Sequence, residues 1–184
     1  MGKGAHIIRE ATPEDVTGLV RCLNEAINRK LEKNDDFWGE HSFTESEVEK
    51  AIAGGDVFVV IDEANNILGT FRLTHSDEKI WGPDGIDDSS AFYLHRLATT
   101  DAASGTGVGE NVIDWISQKA IIEGRNRIRL DVSYTLPGLC RYYEKLGFVK
   151  IKAGNITISG TRNPNLTIYP VAFFERSVDG GVVR

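Results

Sequence analysis

Apolar residues recur at helical spacing in four segments of the chain, and each segment predicts an amphipathic helix. The first begins after Thr12 and Pro13, since a threonine cap followed by proline is typical of a helix start. The second begins at the capping box Thr44–Glu47 and ends at Gly54. The predicted helices run over residues 12–31, 44–54, 108–124 and 136–147.

Seven shorter apolar runs, bounded by polar or glycine-rich segments, predict β-strands. Two of them, 57–62 and 67–75, flank a short polar turn and predict a hairpin, whereas the Gly-, Pro- and Asp-rich stretch 76–90 predicts a loop. The predicted strands cover residues 6–10, 57–62, 67–75, 91–100, 127–132, 148–152 and 166–174. The resulting order, β-α-α-β-β-β-α-β-α-β-β, predicts a mixed sheet covered by helices, in the α/β or α+β class.

Three glycines lie within residues 104–109, which read SGTGVG, directly before the third predicted helix. A phosphate-binding P-loop is excluded because Glu110 and Asn111 stand where that motif requires Lys and then Ser or Thr. Three interpretations remain open: a dinucleotide-binding turn with Asp131 as its acidic partner, a turn without a ligand, and a cradle for a pyrophosphate group. In a cradle, the small residues would expose backbone N–H groups at the positive end of a helix dipole.

Composition and charge limit the classes of protein to which the chain can belong. Its 184 residues, 41% of them hydrophobic, predict one globular domain over 1–175, followed by a flexible tail over 176–184. A net charge of −6 argues against nucleic acid as a partner, and no apolar run is long enough to predict a membrane span. The cysteines Cys22 and Cys140 lie in apolar segments, which is typical of reduced thiols in a cytoplasmic protein.

The segments 93–115, YLHRLATTDAASGTGVGENVIDW, and 136–148, LPGLCRYYEKLGF, together resemble the GNAT superfamily of N-acetyltransferases. Gly107 and Gly109 match the glycines of its coenzyme motif, and the run from Tyr143 to Phe148 matches its Tyr-Glu-Lys-x-Gly-Phe motif. The resemblance implies a mostly antiparallel sheet of six to seven strands with helices on both faces, splayed between the fourth and fifth strands. It also implies that acetyl-CoA is the cosubstrate.

The resemblance further implies which residues would bind the coenzyme. The backbone of the fourth strand would bond the pantetheine arm and the thioester carbonyl, the glycine loop would bind the diphosphate, and Tyr143 would protonate the departing thiolate. Ser104 replaces an Arg or Gln of the family motif and Leu136 replaces an Asn, which leaves open a weakened or specialised site. The implied coenzyme-binding residues are Leu97, Ala98, Thr99, Ser104, Gly105, Thr106, Gly107, Val108, Gly109 and Tyr143.

The sequence indicates less clearly which residues would contact the amine substrate. Strand alternation would place His95 on one face with Tyr93, Leu97 and Thr99, and an imidazole there is suited to act as a general base. We expect Trp38, Trp81 and Tyr93 to contact the substrate. For Tyr143, His95 and Trp81 a purely structural role stays open, and no spacing of His, Cys, Asp or Glu predicts a metal site.

These observations predict direct acetyl transfer from acetyl-CoA to the amine of a small molecule or a peptide. Two alternatives stay open: a non-catalytic acyl-CoA-binding or regulatory module of the same fold, and a dinucleotide-binding domain. The sequence leaves formation of a homodimer open.

Overall fold

The computed structural model describes residues 6–85, 89–158 and 167–178. The helices are α1 Val16–Leu31, α2 Glu45–Ala53, α3 Glu78–Trp81, α4 Val108–Ile122 and α5 Pro137–Lys145. The strands are β1 Ile7–Glu10, β2 Val57–Ile61, β3 Ile67–Thr74, β4 Ala91–Thr99, β5 Arg127–Ser133, β6 Val149–Ile158 and β7 Thr167–Ser177. All four predicted helices and all seven predicted strands are therefore present in the described residues, and β7 runs two residues into the segment predicted as a tail.

The stretch predicted as a loop over 76–90 contains α3 and a short 3-10 helix, Gly82–Gly85, so that prediction was wrong in part. The Asp77 side chain caps α3 by accepting a hydrogen bond from the backbone N–H of Ile80. The Asp77 backbone N–H in turn donates to the carbonyl of Gly85 at 2.9 Å, which closes the segment into a compact turn. A single helical turn is too short for its apolar spacing to be detected in the sequence.

The strands form a seven-stranded sheet in the order β1-β2-β3-β4-β5-β7-β6, which confirms the predicted mixed, mostly antiparallel fold. The parallel pair β4 and β5 is joined only where Ala91–Tyr93 face Arg127–Arg129. Beyond this pairing, Arg96 has a φ of +50°, a left-handed conformation that interrupts the regular geometry of β4. The short pairing and this irregularity agree with the splay that the resemblance implied.

The chain separates into two compact units, and each has its own buried residues. The first comprises residues up to Leu73 and Arg96–Val112, and it packs α1 and α2 against β2 around Leu19, Ile27 and Val59. The second comprises Thr74–His95 and the residues from Ile113 onward, with Phe92, Ile128 and Phe174 almost fully buried. Within the described ranges, no helix combines the length and apolar character that crossing a bilayer requires.

Candidate active site

The glycine loop, residues 104–109, leads directly into α4. Gly105 and Gly107 have φ values of +76° and +90°, in the left-handed region that glycine adopts without strain. A Cβ on Gly105 would meet no atom within 4 Å, so backbone conformation, not space, requires glycine there. Alternation between left-handed and right-handed residues is a geometry that turns successive N–H groups toward one anion.

The loop itself uses two of its six amides. The N–H groups of Ser104 and Thr106 donate to the carbonyls of Asp101 and Ala103, each at 3.2 Å. In the part of the chain that the structure describes, no backbone carbonyl accepts from the remaining four amides, which belong to Gly105, Gly107, Val108 and Gly109. These four N–H groups lie at the N-terminus of a 15-residue helix, where the helix dipole favours an anion.

Two side chains of α1 hold the start of the loop. The Arg29 guanidinium donates to the backbone carbonyl of Thr99 at 2.6 Å and pairs with the Asp101 carboxylate. The Glu25 carboxylate accepts a hydrogen bond from the Asp101 amide at 2.7 Å. Neither contact could be predicted from the sequence, because residues 70 or more positions apart give no local signal.

A third glycine, Gly69 on β3, lies close to the end of β4 and the beginning of α4. A Cβ at this position would lie 2.7 Å from the carbonyl oxygen of Ala98 and 3.1 Å from a methyl group of Val108. Both neighbours belong to the predicted coenzyme-binding residues. Gly69 therefore helps to position the strand end and the beginning of α4.

We expect Gly69→Ala to lower the free energy of unfolding by about 1–3 kcal/mol, because the new methyl group overlaps a backbone carbonyl. We also expect weaker acetyl-CoA binding, since the clash displaces the end of β4. Urea unfolding and calorimetry measure the two effects. Gly154→Ala on β6 is the control, because a Cβ there meets nothing within 4 Å; equal stability of the two variants would contradict this role of Gly69.

Within the first unit, the backbone around Leu97, Ala98 and Thr99 is tied to neighbouring elements. The Thr100 amide donates to the Leu68 carbonyl at 2.9 Å, and the Thr99 carbonyl accepts from Arg29. The left-handed Arg96 interrupts the regular geometry of β4, and the sharing of one face by His95, Leu97 and Thr99 stays a prediction. The predicted coenzyme contacts of Leu97, Ala98 and Thr99 depend on backbone atoms and do not require that alternation.

Tyr143 lies on α5 in the second unit and is buried. Its ring packs edge-to-face against Tyr142 and Phe148, with centroid separations of 5.3 and 5.6 Å. Burial, and to a smaller extent the neighbouring Tyr142 and Asp131, raise the pKa of the Tyr143 phenol above its ordinary value. The side chain therefore stays protonated at neutral pH and can donate a proton, as the predicted role requires.

His95, near the middle of β4, is held by two polar neighbours. Its Nε2 lies 2.9 Å from the hydroxyl oxygen of Thr74, and its Nδ1 lies 3.9 Å from the Asp77 carboxylate. The imidazole retains about a fifth of its exposed surface, which leaves it accessible to a substrate. Its surroundings are polar, so His95 is not a histidine packed in an apolar core.

Asp131 on β5 completes a cluster with Asp77 and His95. One side-chain N or O atom from each residue lies within 4.8 Å of the other two. Burial and the charge of Asp77 raise the pKa of Asp131 to about 7, although a backbone hydrogen bond and the Trp81 indole partly offset them. The cluster leaves no signal in the sequence because its members come from three separate segments, and the sequence indicated Asp131 only as the partner of a dinucleotide-binding turn.

The raised pKa of Asp131 predicts a measurable effect on stability. Asp131 is protonated in the folded protein up to about pH 7 but ionises near pH 4 when unfolded, so its contribution to stability falls as the pH rises between these values. Above about pH 7, the ionised Asp131 lowers the free energy of unfolding by about 4 kcal/mol. We expect Asp131→Asn to remove this cost and to stabilise the protein more at pH 8 than at pH 4.5.

Urea unfolding of both proteins at the two pH values measures this difference. Asp114→Asn, a change of the same kind at an exposed position of α4, is the control. If the free energy of unfolding depends on pH in the same way in Asp131→Asn and in the original protein, the surroundings of Asp131 do not disfavour its ionised form.

The three predicted substrate contacts differ in their surroundings. Trp81 and Tyr93 are buried and pack edge-to-face with centroids 5.6 Å apart, and the Tyr93 hydroxyl accepts a hydrogen bond from Arg129 at 2.8 Å. Both rings are buried, and their contact with a substrate stays a prediction. Trp38 is half-buried at the edge of the first unit's core, with the Lys30 ammonium 5.0 Å from its ring centroid.

A seven-stranded mixed sheet with a short parallel pair, a strand irregularity and a glycine loop before a helix defines an acetyltransferase fold. The sequence model of the acetyltransferase (GNAT) family matches residues 23–148, and the chain belongs to this family. The resemblance predicted from the two motifs is thereby confirmed. Acetyl-CoA is the cosubstrate of this family.

Individual relatives agree with this assignment. A segment of 72 residues is 35% identical to an uncharacterized N-acetyltransferase, YesJ, of Bacillus subtilis (strain 168), and it covers 39% of each protein. A GNAT-family acetyltransferase from Listeria monocytogenes superposes with a TM-score of 0.70 at 22% identity, over 94% of both chains. A GNAT-superfamily phosphinothricin acetyltransferase from Sinorhizobium meliloti, in complex with acetyl-CoA, has a TM-score of 0.67 at 15% identity, over 97% of this chain and 91% of its own.

Proposed function

We propose that this protein transfers an acetyl group from acetyl-CoA directly to a primary amine of a small molecule or a peptide, in the cytoplasm. The observation that carries the proposal is the set of four amides, at Gly105, Gly107, Val108 and Gly109, that no backbone carbonyl of the described chain accepts. Donors of this kind at the N-terminus of a long helix suit the diphosphate of coenzyme A. Family membership supports the same cosubstrate.

In this proposal the departing thiolate of coenzyme A takes a proton from Tyr143. The support is that the pKa of Tyr143 is raised, so the phenol holds its proton throughout the neutral range. The backbone of Leu97, Ala98 and Thr99 binds the pantetheine arm, and its polar groups polarise the thioester carbonyl. The Arg or Gln that the family motif has at the position of Ser104 is not required, because the phosphate contacts in this proposal come from backbone amides.

His95 acts as the general base in this proposal. An imidazole has an ordinary pKa near neutrality, and its ring here is accessible and oriented by Thr74. The neutral amine formed after proton removal attacks the thioester carbonyl, the C–N bond forms, and the C–S bond breaks. Trp38 remains a proposed contact for the rest of the substrate.

Calorimetry with acetyl-CoA, followed by a thiol-release assay with a panel of amines, tests this proposal. We expect binding of acetyl-CoA and release of coenzyme A that depends on the added amine. Binding without turnover of any amine would instead indicate the non-catalytic acyl-CoA-binding module, which the departures at Ser104 and Leu136 keep as the alternative. Binding of a nicotinamide dinucleotide without binding of acetyl-CoA would refute both.

A further inference from the structure

We propose that Arg29 is a positioning residue for acetyl-CoA, which holds the strand end that binds the pantetheine arm and the loop that binds the diphosphate at one fixed separation. The inference rests on the proposed function and deepens it. Arg29 lies in the last turn of α1 and does not touch the coenzyme in this proposal. It acts through the backbone of Thr99 and through the side chain of Asp101.

The Thr99 carbonyl lies on the edge of β4 that faces away from β3. A Cβ on Gly69 of β3 would lie 2.7 Å from the Ala98 carbonyl oxygen, and the Thr100 N–H donates to a carbonyl of β3 at 2.9 Å. Ala98 and Thr100 therefore turn these polar groups toward β3, and Thr99 between them turns its own to the opposite edge. Among the described strands, β5 pairs with that edge only at Ala91–Tyr93, so the edge is unpaired where the proposal places the pantetheine arm.

Arg29 fixes the last residue of this unpaired edge. Its guanidinium donates to the Thr99 carbonyl at 2.6 Å, and a hydrogen bond from a charged donor is among the stronger ones in proteins. The same guanidinium pairs with the Asp101 carboxylate. Glu25, one helical turn earlier on α1, accepts from the Asp101 N–H at 2.7 Å. Residues 99 to 101 are therefore held from one face of α1.

Two successive turns connect Asp101 to the glycine loop. The Asp101 carbonyl accepts from the N–H of Ser104 at 3.2 Å. The Ala103 carbonyl accepts from the N–H of Thr106 at 3.2 Å and from its hydroxyl at 2.7 Å. The four available amides of the loop lie within these turns and directly after them. The position of Asp101 therefore determines where those amides lie relative to the strand end.

Acetyl-CoA carries the diphosphate and the pantetheine arm on one molecule. Two sites held at the separation that a ligand requires bind it more tightly than either site binds its own part, because the second contact forms with little further loss of freedom. If the strand end and the loop moved independently, binding would first have to order them. Arg29 should therefore contribute to the affinity for the whole coenzyme, but not to that for a ligand that contacts only the loop.

A purely structural role of Arg29 would give a different result. The Arg29 side chain is 30% exposed and that of Asp101 is 65% exposed, and ion pairs with such exposure contribute little to stability. We therefore expect Arg29→Gln to unfold in urea at nearly the same concentration as the original protein. A loss of coenzyme affinity in this variant then reflects the position of the binding groups.

Calorimetry of Arg29→Gln with acetyl-CoA and with ADP, which has a diphosphate but no pantetheine arm, tests the inference. We expect the affinity for acetyl-CoA to fall about 10-fold or more, and that for ADP to change less than about threefold. In steady-state assays the KM for acetyl-CoA should rise while kcat stays within about twofold. The control Lys50→Gln, which removes one positive charge at an exposed position of α2, should bind both ligands normally.

The double variant Arg29→Gln/Asp101→Asn separates the hydrogen bonds of Arg29 from its charge. This variant has no uncompensated carboxylate at position 101, but it still lacks the donor to the Thr99 carbonyl. We expect its affinity for acetyl-CoA to stay as low as that of Arg29→Gln. Recovery of the original affinity would overturn the inference, because Arg29 would then act only by neutralising Asp101.

The remaining outcomes separate this inference from the proposed function. Unchanged affinity of Arg29→Gln for acetyl-CoA, or equal losses for acetyl-CoA and ADP, would overturn the inference. Binding of acetyl-CoA but not of ADP by the original protein would also overturn it, since the loop would then make no contribution of its own. Failure of the original protein to bind acetyl-CoA would refute the proposed function itself. The expected difference between the two ligands without turnover of any amine would support the positioning role and refute the proposed activity.

Discussion

Gly107→Glu is expected to lower the affinity for acetyl-CoA at least 100-fold. The residue has a φ of +90°, so any side chain strains the loop, and it supplies one of the four available amides. A carboxylate at this position also repels the diphosphate of the coenzyme. Calorimetry with acetyl-CoA at fixed ionic strength measures the loss directly.

The matched control is Gly55→Glu, in the turn after α2. Gly55 also has a positive φ, +77°, and a Cβ there would meet no atom within 4 Å. This variant introduces the same charge and similar backbone strain outside the glycine loop, and it should bind acetyl-CoA normally. If Gly107→Glu also binds normally while remaining folded, the loop does not bind the coenzyme.

Tyr143→Phe is expected to lower kcat about 100-fold or more, with little change in the affinity for acetyl-CoA. The substitution removes only the hydroxyl group, and the ring keeps its packing against Phe148 and Phe174. Since the pKa of Tyr143 is raised, the original enzyme should also show no loss of kcat from ionisation of this phenol at ordinary assay pH.

Tyr142→Phe separates the chemical role of the hydroxyl from general effects on α5. Tyr142 adjoins Tyr143 on the same helix and its ring packs against it, but the proposal gives it no chemical role. Steady-state kinetics of both variants, with coenzyme release as the readout, make the comparison. Full activity of Tyr143→Phe would rule out its role as the general acid, and an equal loss in Tyr142→Phe would point to packing.

The fold could largely be predicted from local patterns. The cap at Thr44 and the paired apolar runs of β2 and β3 each involve residues that are close in sequence, so local patterns are enough to predict them. α3 was missed because one helical turn, closed by the contact between Asp77 and Gly85, leaves no periodic signal.

The candidate site was less accessible to sequence analysis. The glycine loop is continuous in sequence, and its positive φ values follow from its composition. The cluster of Asp77, His95 and Asp131 exists only after three distant segments fold together. Contact of Trp81 with a substrate stays a prediction, and its burial against Phe173 has no local signal in the sequence.

The contacts of α1 with the start of the glycine loop bear on how the protein could be engineered. Glu25 and Arg29 anchor Asp101 and the end of β4, so a library that randomises both would disturb coenzyme affinity together with any new property under selection. Asn28 is exposed on the same helix and can be varied without this penalty. A screen for new acceptors should therefore keep positions 25 and 29 constant.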